Sequence, residues 1–169
     1  PSTEDLNLAD GITVTNWGTS QDGGISGDGN GNAGRASAPV GKFNGPSVSG
    51  IPPAVGSSAP TEGVHFFSID IDATTTVNLT RVAFDFSKAT GSGNVRWLGF
   101  RASLNPTLIY SSVGPARPTL ESVDLTLTGP EYEGLTNQTV TFYWYSGGEG
   151  SGDCDIDSIV IEAEEAASS

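Results

Sequence analysis

Hydrophobic and polar side chains alternate one by one through many short stretches of this chain. Phe67, Ile69 and Ile71 fall on one side of a strand, with Ser68, Asp70 and Asp72 on the other; Val82, Phe84 and Phe86 oppose Asp85; Val123, Leu125 and Leu127 oppose Asp124 and Thr126. A period of two sets one face of a strand against a core and the other toward water. No segment holds an apolar stripe at helical spacing over three turns. The pattern predicts strands over residues 11–17, 34–40, 65–72, 77–87, 95–104, 108–113, 122–128, 139–145 and 155–163. Gly, Pro and Asn punctuate them as turns. So many short strands imply an all-β fold, a two-sheet antiparallel β-sandwich of jelly-roll type. Two stretches carry no clear strand: 20–32, rich in Gly, Asp, Asn and Ser, and 43–62, rich in Pro, Gly and Ser and long for a plain connection.

A length of 169 residues suits one domain with its own core. Residues 1–163 read as a single module and 164–169 as a linker remnant, so we expect a piece of a larger multidomain extracellular protein, monomeric when isolated. No apolar run reaches membrane-spanning length, and no membrane partner is expected. Seven basic residues against twenty acidic ones give a formal charge of −13, which argues against nucleic acid and anionic lipid as partners. The simplest meaning of that charge is solubility. Cys154 is the only cysteine, which rules out an internal disulfide. Flanked by Asp153 and Asp155, it has no nearby positive charge to favour a thiolate and reads as structural. Asn78-Leu79-Thr80 and Asn137-Gln138-Thr139 match the glycosylation sequon and are taken as chance matches.

Nothing in the sequence assembles a reaction centre. The only histidine, His65, shares its parity with Phe67, Ile69 and Ile71, which puts it at the rim of the core. No G-x-S-x-G elbow accompanies it. The acids fall in loops or on solvent faces, without an apolar pocket to raise a carboxyl pKa for glycoside hydrolysis. We therefore expect no enzymatic activity.

Metal is a stronger candidate. The loop from Asp22 to Asn32 spaces the oxygen donors Asp22, Asp28 and Asn30 with glycines, and calcium takes six to eight hard oxygens. No glutamate stands at the twelfth position of an EF-hand, and a flexible turn-rich loop is the alternative. Asp157 shares its parity with Ile159 and Ile161, so it is predicted to point toward the core end of the last strand. There a carboxylate needs backbone N–H donors or, as the second reading, calcium. Such calcium would be structural.

The third candidate is an aromatic platform. Val140, Phe142 and Trp144 alternate with Tyr143 and Tyr145, and Leu98, Phe100 and Ala102 alternate with Trp97, Gly99 and Arg101. With the apolar sets inside, Trp97, Arg101, Tyr143 and Tyr145 face outward. If the two strands share a sheet, these four form an aromatic and cationic face for the C–H faces and hydroxyls of a sugar. The alternatives are β-propensity alone, or a loop that covers the rings. Trp17 reads as a core residue rather than a loop-borne stacker.

The segments Phe66-Phe67-Ser68-Ile69-Asp70-Ile71, Leu79-Thr80-Arg81-Val82-Ala83-Phe84-Asp85-Phe86, Gly99-Phe100-Arg101-Ala102-Ser103-Leu104, Val140-Thr141-Phe142-Tyr143-Trp144-Tyr145 and Ile156-Asp157-Ser158-Ile159-Val160-Ile161 together resemble bacterial extracellular carbohydrate-binding modules of galactose-binding-like type, found in environmental and marine bacteria. The resemblance spans about residues 64–162. It departs from the family at Asn105-Pro106, where Asp-Gly is usual, at Tyr143, where Arg is common, and at Ser158, where Asn is usual. It implies a jelly-roll sandwich, a secreted location, and a structural calcium between an early loop and the last strand, at the Asp22–Asn32 loop or Asp157. The leading expectation is a non-catalytic module that binds a polysaccharide or oligosaccharide through the aromatic platform and tethers a larger secreted protein to it. The alternative is a structural or adhesive cell-surface sandwich with no sugar site. Burial separates the two: exposed rings favour sugar, and rings covered by the 43–62 segment favour the scaffold.

Overall fold

In a computed structural model that describes residues 12–19, 41–44, 51–59, 64–88, 96–115, 119–148 and 153–167, the alternating segments form strands. They are β1 (Ile12–Thr19), β2 (Gly41–Asn44), β3 (Val64–Ile71), β4 (Val77–Lys88), β5 (Arg96–Ala102), β6 (Tyr110–Val113), β7 (Glu121–Thr126), β8 (Gln138–Gly148) and β9 (Asp153–Glu165). A single helical turn, Pro130–Tyr132, follows β7. All pairings are antiparallel. The strands lie in two sheets, β1-β3-β8-β5-β6 and β2-β9-β4-β7. Counted from β2, the strands run first–eighth–third–sixth in one sheet and second–seventh–fourth–fifth in the other, which is jelly-roll order; β1 is an addition beside β3. The protein is a two-sheet antiparallel β-sandwich. Among the described residues no helix is long and apolar enough to cross a membrane.

The predicted inner faces meet in the middle. Val82, Phe84 and Phe86 on β4 and Val123 on β7 come from one sheet; Leu98, Phe100 and Ala102 on β5 and Val140, Phe142 and Trp144 on β8 come from the other; all are buried. Phe84 joins the layers, with its ring 5.5 Å from Phe100 and 5.9 Å from Trp144, edge-on to the indole. Such aromatic pairs add about 1 kcal/mol each beyond the area they bury.

Several details differ from the sequence pattern, and one lies beyond reach. The strand predicted at 34–40 lies outside the described residues. Phe43 and Asn44, expected in a strandless stretch, belong to β2, which pairs along β9 from Gly41↔Ile156 to Asn44↔Asp153. Four residues are too few for alternation to register, so long-range pairing alone makes this strand. Glu164 and Glu165, expected in a trailing linker, continue β9, and Val77 pairs with Glu165. Finally, the register shifts between Ala83 and Asp85, which pair with Val160 and Asp157. The bulge breaks the parity that grouped Asp157 with Ile159 and Ile161. Ile156, paired with Phe86, is the residue that enters the core there, and Asp157 stands in register with Asp85.

Candidate functional site

Antiparallel pairing brings the four predicted platform residues onto one sheet face. β5 and β8 are neighbours, with Arg101 opposite Tyr143 and Gly99 opposite Tyr145. β3 flanks β8 on its other side and sets Phe66 opposite Tyr143. Because successive residues point to opposite faces, Trp97, Arg101, Tyr143 and Tyr145 all lie on the outer face, away from Phe100 and Trp144.

Their exposure departs from expectation. Trp97 and Tyr145 are each only 2% exposed, while Tyr143 and Arg101 are half-buried. Trp97, Tyr145 and the buried Leu108 form a second apolar cluster, separate from the inter-sheet core, with Ala59 and Tyr143 packed at its margin. Leu108 comes from the β5–β6 connection and Ala59 from the 51–59 segment, which runs across this face as a strap. Backbone bonds hold the two together: Gly56 N donates to Leu108 O at 2.8 Å, Leu108 N to Ser57 O at 3.0 Å, and Ser58 bridges Thr107. These bonds explain why β6 begins at Tyr110 rather than at Leu108. The strap is itself turned by Ser57, whose Oγ donates to Ala54 O at 2.6 Å.

Gly99 makes the cover possible. A Cβ at this position would stand 3.2 Å from Leu108 Cδ2 and 3.3 Å from Cδ1. The bare backbone of Gly99 leaves Leu108 room against the sheet, where a Cβ would push its methyl groups back by a few tenths of an ångström. A glycine inside a strand is a known mark of close approach by another segment. That was the signal in the sequence that the outward aromatics are roofed.

Arg101 is committed to the same arrangement. Its Nε donates to the Tyr145 hydroxyl at 2.8 Å, and Nη1 donates to Asn105 O at 3.3 Å and Ala102 O at 3.4 Å. Its guanidinium carbon lies 4.3 Å from the Tyr143 ring centroid, so it occupies part of the ring surface a sugar would need. Burial pushes the Tyr145 phenol above its ordinary value, against the opposing pull of the Arg101 hydrogen bond. Further along the face, Ser68 Oγ and Thr141 Oγ1 share a 2.9 Å hydrogen bond, and Thr141 N donates to Ser103 Oγ at 3.0 Å.

On the outer face of the other sheet, Arg81 clamps Asp124 through Nε at 2.8 Å and Nη2 at 3.1 Å, and reaches Glu162 through Nη1 at 2.9 Å. The hydrogen bond from Arg81 holds the Asp124 carboxyl below its usual value. This is a surface ion-pair network that ties β7, β4 and β9 together.

Asp22, Asp28 and Asn30 lie outside the described residues, as does the side chain of Asp157. Among the described residues no three histidine, cysteine or carboxylate side chains gather to hold a metal ion. The backbone of His65 pairs with Trp144 and Thr19, and that of Trp17 with Phe67.

Fold and site together define a jelly-roll β-sandwich with a roofed aromatic sheet face. No protein-family model matches the sequence, and no curated protein matches it. Among solved structures, the chain is similar to the enzymatically active domain of bacteriophage CBA120 tailspike protein 4, at 15% identity and a TM-score of 0.33 over 63% of this chain. It spans 15% of the length of that chain. It is also similar to a cyclase from Fischerella sp. TAU, solved in complex with 4-(1H-indol-3-yl)butan-2-one, at 16% identity and a TM-score of 0.36, covering 98% of this chain and 94% of that one. At these scores neither likeness carries a functional argument.

Proposed function

We propose that this chain is a non-catalytic structural or adhesive β-sandwich module of a secreted or cell-surface protein, in which the outer aromatic residues of the five-stranded sheet hold the 51–59 strap. The supporting observation is the 2% exposure of Trp97 and Tyr145 beneath Leu108 and Ala59. A ring sealed in this way offers a sugar no face on which to stack.

One observation favours the carbohydrate reading in a reduced form. Tyr143 stays half-buried beside Phe66, with ring centroids 6.4 Å apart, and Arg101 Nη2 has no partner among the described residues. A short contact on Phe66 and Tyr143, with Arg101 donating to a hydroxyl, is the form such binding would take. Affinity electrophoresis through neutral plant and marine polysaccharides separates the two readings. Retardation that Tyr143→Ala abolishes, with an unchanged melting temperature, supports sugar binding. Free migration through the whole panel supports the structural module.

Structural calcium on Asp22, Asp28, Asn30 and Asp157 belongs to the same proposal. All four supply hard oxygen donors. Support comes from the register of Asp157 with Asp85: carboxylates directly across a ladder destabilise it, and a cation removes that cost. When bound, the ion would tie the 22–30 loop to the last strand.

A further inference from the structure

Among the described residues, β1 and β6 border one sheet and β2 and β7 border the other. A border strand presents N–H and C=O groups to any extended chain, and proteins blunt it with brevity, bulges, prolines or charges. β1 carries a break in register between Val14 and Asn16. β2 and β6 have four residues each, and the strap already bonds the chain at Leu108, just ahead of β6. Beyond β2, β9 is interrupted by the slip between Asp157 and Val160. β7 is neither short nor broken. Its six residues pair with β4 in one register from Phe86↔Glu121 to Arg81↔Thr126, without proline or lysine, and its only charges are the acids Glu121 and Asp124.

Leu127 N donates to Thr80 O at 2.9 Å, which sets the alternation along the strand. Val123 and Leu125 turn their backbone groups to β4, and Ser122, Asp124 and Thr126 turn theirs away. No described residue meets those three on the open side. Arg81 holds Asp124 in place at 2.8 and 3.1 Å, yet the Asp124 side chain stays 63% exposed. On the inner side Leu125 is half-buried, and a cavity of about 340 Å³ opens against it. Leu125 and Thr126 face opposite sides of the sheet and both line this cavity, so it lies along the edge of the strand. Ile109, half-buried, and Val55, 62% exposed, give it apolar surface that a partner can reach.

We infer that the edge of β7 takes up, antiparallel, an extended segment of another protein in which lysine or arginine alternates with an aliphatic residue. In an antiparallel ladder, two residues that exchange hydrogen bonds also share a face. The partners of Ser122, Asp124 and Thr126 therefore put their side chains on the outer face, where Asp124 offers a carboxylate. The residues between them point inward, against Leu125 and the cavity. In strand addition the main chain supplies affinity and the alternate side chains supply specificity. Charge selects the partner here. Glu121 and Asp124 lie on the strand, Glu131 lines the cavity, and the whole molecule carries −13. A second copy would set acids against acids, and an acidic strand meets the same repulsion.

The test uses the synthetic peptide acetyl-Lys-Val-Lys-Val-Lys-Val-Lys-amide, its counterpart with glutamate for lysine, and two backbone-methylated forms, one N-methylated at the lysines and one at the valines. Amide hydrogen exchange of the protein is followed by NMR at fixed ionic strength. We expect the lysine peptide to slow exchange at Ser122, Asp124 and Thr126 by about tenfold or more, and to leave Val123 and Leu125, already bonded to β4, unchanged. The peptide's lysines are the residues whose N–H groups face β7, so methylation there should weaken binding by about tenfold or more, and methylation at the valines should not. The glutamate peptide should bind more weakly by a similar factor. Protection of the same three amides that grows with protein concentration, without peptide, identifies a second copy as the occupant and overturns the inference. No saturable effect, protection confined to another edge, equal binding by the two methylated forms, or equal binding by the glutamate peptide overturns it as well. None of those failures touches the strap reading, which concerns the other sheet.

Discussion

Arg101 Nε donates a 2.8 Å hydrogen bond to the Tyr145 hydroxyl across the β5–β8 pair. The bond caps a phenol that would otherwise be buried without a partner, and it fixes the guanidinium over Tyr143. Tyr145→Phe keeps the ring and removes the bond, so it should cost about 1–2 kcal/mol. Arg101→Lys loses both the planar stack and the Nε geometry and should cost about as much. Urea denaturation of the two single variants and the double should give a sum that exceeds the double by about 1 kcal/mol, because both remove the same contact.

Trp97 is the floor on which Leu108 and the strap rest. Trp97→Ala should destabilise the protein by about 3–5 kcal/mol, the usual range for emptying a large aromatic site. It should also speed proteolytic cleavage within residues 51–59, read by mass spectrometry of limited digests. Tyr143→Ala removes a half-buried ring and should leave that cleavage rate unchanged.

Stability should fall in alkali. Burial pushes the Tyr110 phenol from 10.0 up to about 12, and Tyr132 and Tyr145 shift in the same direction. The folded state holds these protons more tightly than the unfolded chain does. The stabilisation is therefore complete below pH about 10 and is lost as pH rises toward about 12. Urea midpoints should drop between pH about 10 and about 12, and Tyr110→Phe should flatten that drop. The Tyr110 hydroxyl lies 3.2 Å from Glu121 Oε1, so Tyr110→Phe should also lower stability slightly at neutral pH.

If calcium ties the Asp22, Asp28 and Asn30 loop to Asp157, a chelator should lower the melting temperature and added calcium should restore it. The gain should grow with the logarithm of calcium concentration above the dissociation constant. Asp157→Asn should weaken that dependence. Identical melting curves with and without chelator would remove the ion from the proposal.

Alternation made the two inner faces legible, because Phe84, Phe86, Phe100, Phe142 and Trp144 each sit in a run long enough for parity to be counted. The same counting turned Trp97, Arg101, Tyr143 and Tyr145 outward, but that the two strands share a sheet is supplied by the β5–β8 pairing. It could not reveal the roof. Leu108 and Ala59 reach that face through loop geometry; the 43–62 segment stood as one of two alternatives for the cover, and parity offers no means of choosing between them. Parity cannot be carried across the β9 bulge either, because the pairing with β4 slips there from Ala83↔Val160 to Asp85↔Asp157. β2 was invisible because Gly41–Asn44 is made a strand by its partner rather than by its own pattern. Nothing in Gly129-Pro130-Glu131 announces that the carboxylate folds back over the glycine.

The added strand β1 guards an edge. It pairs along β3 from Ile12↔Ile71 to Thr19↔His65 and so fills the hydrogen-bonding positions on the open side of the second jelly-roll strand. Without it, β3 would present a row of bare N–H and C=O groups, the kind of template that recruits a strand from another molecule. Cleavage after Thr19 would leave the jelly-roll order intact and turn its rim into an invitation to domain exchange or edge-to-edge association. In this protein the first strand thus moves the open edge of the five-stranded sheet from β3 to β1 itself.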